Sequence, residues 1–103
     1  MKVGTYGQKL IFNVVKEDGS PLVLTDALTV KAYLLIEGRT RAKEFACEVE
    51  NATAGTVSYV VENGDLDKAG IATIEIEVQF IDGLFVSEDV ITERIHKRVK
   101  TEA

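Results

Sequence analysis

The chain has 103 residues, 46% of them hydrophobic and 28% charged, which suits one globular domain with enough apolar content to order a core unaided. Its single cysteine, Cys47, and single histidine, His96, exclude an internal disulfide framework and a four-ligand Cys/His zinc site. Charge is uneven: residues 1–89 hold eight Lys/Arg against fifteen Asp/Glu, and residues 90–103 hold four against two. An acidic body argues against nucleic acid, which selects a basic stripe.

The hydrophobic period is two along most of the chain. Leu10, Phe12 and Val14 alternate with Ile11, Asn13 and Val15, which predicts a first strand partly covered on both faces. Asp18-Gly19-Ser20-Pro21 is turn chemistry, since Gly takes positive φ and Pro cannot donate to a ladder. Leu22-Val23-Leu24 reads as a short second strand. Val30, Ala32, Leu34 and Ile36 then share one face, with Thr29, Lys31, Tyr33 and Glu37 on the other and Leu35 breaking the polar row.

After Gly38-Arg39-Thr40, the inward row continues with Phe45, Cys47 and Val49. Asn51 to Gly55 reads as a hairpin loop into Val57, Tyr59 and Val61. Residues 62–70 show neither period and predict a crossover between sheets, with Leu66 as the plug at the end of the core. Ala72, Ile74, Ile76, Val78 and Phe80 form the strongest row. A slip of one residue would bury Glu75 and Glu77 instead, so the register is well specified. Asp82-Gly83 turns the chain into Leu84-Phe85-Val86.

The C-terminal stretch is open to two readings. Val90, Ile91, Ile95 and Val99 suit a helical stripe, yet the same residues also suit a prolonged last strand. The expectation is a sandwich over residues 1–92, then a basic tail over 93–103 that is frayed or helical. About seven strands with one wet face each indicate an all-β antiparallel sandwich, with an immunoglobulin-like Greek key as first choice.

Chemistry is sparse. Glu75 and Glu77 share a strand face that alternates with the apolar row, so an ordinary solvated face outweighs an acid–base pair. Asn63, Asp65 and Asp67 have the spacing that opens a calcium loop, but Lys68 and Ile74 stand where an EF-hand needs Gly and Glu. Cys47 reads as a small buried hydrophobe. Phosphate loops, nucleophile elbows and zinc-protease motifs do not occur. The expectation is no enzyme and no cofactor. Tyr33 and Leu35 together suit either an outward apolar patch, a mark of partner contact, or a face that a loop or the tail covers.

The N-terminus has no apolar signal core, no apolar run is long enough to span a bilayer, and the basic tail is too small for membrane recruitment. Synthesis in the cytosol, with no membrane partner, follows as an expectation.

The order of these elements resembles a known family. Leu10 to Val15 runs into Lys16-Glu17-Asp18-Gly19-Ser20-Pro21-Leu22, followed by Leu24-Thr25-Asp26-Ala27, Thr29-Val30-Lys31-Ala32 and Gly55-Thr56-Val57-Ser58-Tyr59. Gly64-Asp65-Leu66 and Ala69-Gly70 then lead into the long strand that ends at Asp82-Gly83. Over residues 8–92 this resembles the N-terminal immunoglobulin-like domain of phage baseplate upper proteins. The resemblance implies a virion structural protein that docks other tail or baseplate proteins, with homo-oligomers possible and no catalytic residues. Ile91, Ile95 and Val99 are then expected to anchor the tail on a neighbouring subunit. The rival reading is a carbohydrate-binding or adhesion module, calcium-assisted through Asn63, Asp65 and Asp67.

Overall fold

A computed structural model describes residues 1–87 and 91–99 of the chain. Among these residues eight strands form two antiparallel sheets: β1 (Lys9–Asn13), β2 (Thr29–Ile36), β3 (Lys43–Ala46), β4 (Glu48–Asn51), β5 (Thr56–Val60), β6 (Gly70–Phe80), β7 (Gly83–Val86) and β8 (Ile91–Ile95). Among the described residues there is no helix. One sheet has the order β1-β5-β4. The other has the order β3-β2-β6-β7, with β8 also paired to β6. This is the B-E-D and C′-C-F-G order of an immunoglobulin sandwich.

Alternation explains why the sheets meet where they do. Val30, Ala32, Leu34 and Ile36 from β2 lie opposite Val78, Ile76, Ile74 and Ala72 from β6, and all eight are buried. Phe12 and Val57, a cross-strand pair in the other sheet, close over them. Each large member of these rows contributes about 1.5–3 kcal/mol when fully buried. Leu66, from the β5–β6 crossover, seals one end of the core as its isolation among polar neighbours predicts.

Three expectations are corrected. Leu22 to Leu24 is not a strand: Leu22 and Leu24 are buried, but the segment is held by single backbone bonds to Val14 and Ala52. The row through Phe45, Cys47 and Val49 is two strands, because the chain changes sheets at Cys47. There the Cys47 N–H donates to the Val30 carbonyl at 2.8 Å, after which Glu48 and Val49 pair with β5. The outer face of β1 is not covered, and Ile11 is exposed.

The C-terminal stretch resolves in favour of strand. Ile91 to Ile95 pairs with Ile74 to Gly70, so the tail assigned to residues 93–103 begins inside β8, and no helical turn forms across residues 91–95. β7 and β8 lie one after the other along the same edge of β6. His96 then forms a parallel bridge with Lys2. The Val3 N–H donates to the His96 carbonyl at 3.0 Å, and the His96 N–H donates to the Met1 carbonyl at 2.7 Å.

Candidate interaction surface

The residues named from sequence do not converge on one surface. Tyr33 and Leu35 stand on the outer face of the five-stranded sheet, opposite Glu75 and Thr73. Leu35 is 39% exposed, with the equally exposed Ile71 as its diagonal neighbour. The Tyr33 hydroxyl donates to Glu44 Oε1 at 2.9 Å, and Lys31 pairs with the same oxygen at 3.2 Å. The hydrogen bond to Glu44 is the main reason the Tyr33 hydroxyl is pushed up to about 12. Tyr33 is thus tied into a polar network on its own sheet.

The C-terminal trio separates. Ile95 is 1% exposed and belongs to the core, and Ile91 packs half-buried against it, so both face inward. Val99 is 93% exposed. Neither isoleucine is available as an anchor for a neighbour while β8 stays paired. Val90 lies outside the described residues.

The Asn63–Asp67 loop is engaged with the domain itself. Tyr59 donates its hydroxyl to Asp65 Oδ2, which also accepts the Glu62 N–H at 2.8 Å. Burial, then the hydrogen bond to Asp65, pushes the Tyr59 hydroxyl well above its ordinary value. Asp67 faces Lys43 at 3.3 Å and Arg39 at 3.4 Å. Burial works to raise its carboxyl, but Lys43 and Arg39 prevail and hold it low. Lys43 also donates to the Asp65 carbonyl at 2.8 Å. Among the described residues no three His, Cys, Asp or Glu side chains gather as a metal site would require. Cys47 is half-buried, and burial pushes its thiol up to about 11.

What the sequence reading missed lies at the opposite end of the sandwich. There the β1–β2 connection meets the β6–β7 hairpin, and Val23, Asp26, Leu28, Phe80, Ile81 and Asp82 line an open groove. Ile81 sits at the tip of the hairpin, 88% exposed. On the outer face of the same hairpin Leu84 and Val86 are also exposed. Val23, Leu28, Ile81, Leu84 and Val86 are five of the twelve large hydrophobics exposed among the described residues. A usable sequence signal was present: an isoleucine beside Asp82-Gly83 stands in a turn, where polar residues normally dominate.

The edge of β7 adds backbone to this surface. The Ser87 N–H donates to the Ile76 carbonyl at 2.9 Å. By antiparallel alternation, the N–H and C=O of Leu84 and Val86 therefore point away from β6. Natural sheets guard such edges with charge, Pro or a cover. β1, β3 and β4 carry Lys or Glu, and β8 carries Glu93 and Arg94 beneath the Met1–Val3 segment. Gly83-Leu84-Phe85-Val86 carries neither charge nor Pro.

No protein-family model matches the sequence, and comparison with curated proteins finds no match.

Proposed function

We propose that this domain is a non-enzymatic assembly module of a bacteriophage or prophage tail or baseplate, acting in the virion through protein–protein contacts. The observation that carries the assembly part is the juxtaposition of an apolar loop end with an unguarded strand edge. Val23, Leu28 and Ile81 offer side chains to a partner, while Leu84 and Val86 offer backbone donors and acceptors to an added strand. Exposed apolar surface of this kind marks contact sites in folded proteins. The virion part rests on the resemblance in turn and strand order to baseplate upper proteins.

The test is affinity capture with the tagged domain from source cells, before and after prophage induction, read by mass spectrometry. Recovery of tail or baseplate proteins after induction alone is the expected result. Recovery of envelope or glycan-bearing components instead would replace this reading with the adhesion module. Leu84→Lys and Val86→Lys should each abolish capture while leaving the melting temperature close to that of the parent. Both side chains are solvent-facing, and surface changes are usually within about 0.5 kcal/mol.

A further inference from the structure

The two ends of the sandwich carry opposite charge. At the groove end, the connections over residues 14–28, 52–55 and 81–82 hold Glu17, Asp18, Asp26 and Asp82 against Lys16 alone. At the other end, segments 1–8, 37–42, 61–69 and 96–99 hold six Lys/Arg against four carboxylates. The acidic end is also the one with exposed Val23, Leu28 and Ile81. The basic end presents Lys97 and the 93% exposed Val99 just beyond β8. One end thus offers an apolar groove flanked by Asp26 and Asp82, and the other offers an apolar side chain two residues from a lysine.

The two cannot meet within one molecule. Ile95 pairs with Gly70 at the start of β6, whereas the groove lies beyond Phe80 at its end. Eleven strand residues span about 36 Å at the usual rise of about 3.3 Å per residue. Val99 is four residues past Ile95, a reach of about 14 Å at most. Only another molecule can bring Lys97 and Val99 into the groove.

We infer that the domain associates head to tail with a second copy of itself, the groove of Val23, Leu28, Ile81, Asp26 and Asp82 receiving the Lys97–Val99 segment of the neighbour. This inference rests on reading the domain as an assembly module, and it specifies what that surface takes. The contact is heterologous: a joined pair still presents one unfilled groove and one undocked basic segment, so the chain of contacts closes into a ring or extends as a filament. Unlike charges at the contact favour this register and make it salt-sensitive.

Two variants of the full chain test the arrangement. Asp26→Lys with Asp82→Lys disables the groove but leaves the basic segment. Lys97→Ser with Val99→Ser does the reverse, removing the segment's charge and apolar contact without creating an anion that the reversed groove would attract. In sedimentation velocity at low salt, the parent should grow in mass from micromolar to millimolar concentration, and added salt should reverse the growth. Each variant alone should remain monomeric, while an equimolar mixture should give a dimer and stop there, because only one productive contact exists between them. Thermal melts matching the parent keep a folding defect from imitating the result.

A parent that stays monomeric at millimolar concentration overturns the inference. So does a variant that self-associates as the parent does, or a mixture that forms no dimer while the parent oligomerises. Failure here together with capture of tail proteins from induced cells would leave the assembly reading standing and give the groove to a different chain. Self-association without such capture would do the opposite.

Discussion

Tyr59 illustrates how a side chain can hold two layers of this domain at once. Its ring stacks on Phe45 with centroids 4.4 Å apart and planes 16° from parallel, joining β5 to β3 across the sandwich. Its hydroxyl reaches Asp65 and so fastens the crossover that carries Leu66. Tyr59→Phe keeps the stack and loses the bond, which should cost about 1.5–3 kcal/mol because the acceptor is charged. Urea denaturation measures this directly, and an unchanged midpoint would mean the crossover is held by Lys43 instead. Gly55 is constrained more tightly. It has φ +71°, and an added Cβ would lie 2.6 Å from the Val14 carbonyl oxygen and 2.8 Å from that of Leu22. Both neighbours are backbone, so Gly55→Ala cannot be absorbed by a rotamer change and should cost more than the roughly 1 kcal/mol of an ordinary left-handed alanine. Cys47 offers a reporter of opening: with its thiol raised by burial, alkylation near neutral pH should be slow in the folded protein and fast once urea unfolds it.

At the level of elements, β6 organises the larger sheet by pairing β2 along one edge and both β7 and β8 along the other. Ser87 stands where that second edge is interrupted. Its Oγ accepts the Ile76 N–H at 3.0 Å in place of a strand carbonyl. Ser87→Ala would leave a donor in the core strand unsatisfied, at a cost of about 1–3 kcal/mol. Hydrogen exchange should show the Ile76 amide losing protection before its neighbours; uniform loss along β6 would contradict the assignment. The strong strands were legible in the sequence because β2 and β6 keep period two for their whole length and bury one row, with only Phe80 at the end of β6 left half-buried. The change of sheet at Cys47 was not, since alternation runs unbroken through Phe45, Cys47 and Val49 and says nothing about which neighbour each half pairs with. β8 was ambiguous for a numerical reason. A spacing of four, as in Ile91, Ile95 and Val99, returns to the same face in a strand and nearly so in a helix. The groove escaped notice because its members come from distant connections, and only the fold brings residue 23 beside residue 81.

For the whole molecule, charge sets a pH window. The carboxyls of Asp18, Glu44 and Glu50 are held low by hydrogen bonds to Ser20, Tyr33 and Lys9 respectively, and Asp67 is low despite burial. Each titrates lower folded than unfolded, so its contribution is complete above the free carboxyl range near about 4 and fades as pH falls through the folded value. Tyr33 and Tyr59 titrate higher folded than unfolded. Their contributions are complete below about 10 and fade as pH rises through the folded values. Urea midpoints should therefore form a plateau between about pH 5 and 9 and decline on both sides. A midpoint still rising as the solution is acidified past pH ~4 would show that repulsion within the acidic body outweighs these bonds.

The segment from Met1 to Val3 has a mechanical meaning. It runs parallel to Arg94–His96, joined by the Met1 amine to the Arg94 carbonyl at 3.1 Å and by the two backbone bonds of His96. Tension applied at Met1 and at Val99 pulls these two segments in opposite directions along their shared axis. The three bonds are then loaded together in shear, whereas the same tension across the open end of the β6–β7 hairpin would peel its bonds one at a time. The domain should resist stretching through its terminal segments better than stretching applied between residues 77 and 86, a difference that single-molecule pulling along the two axes would reveal.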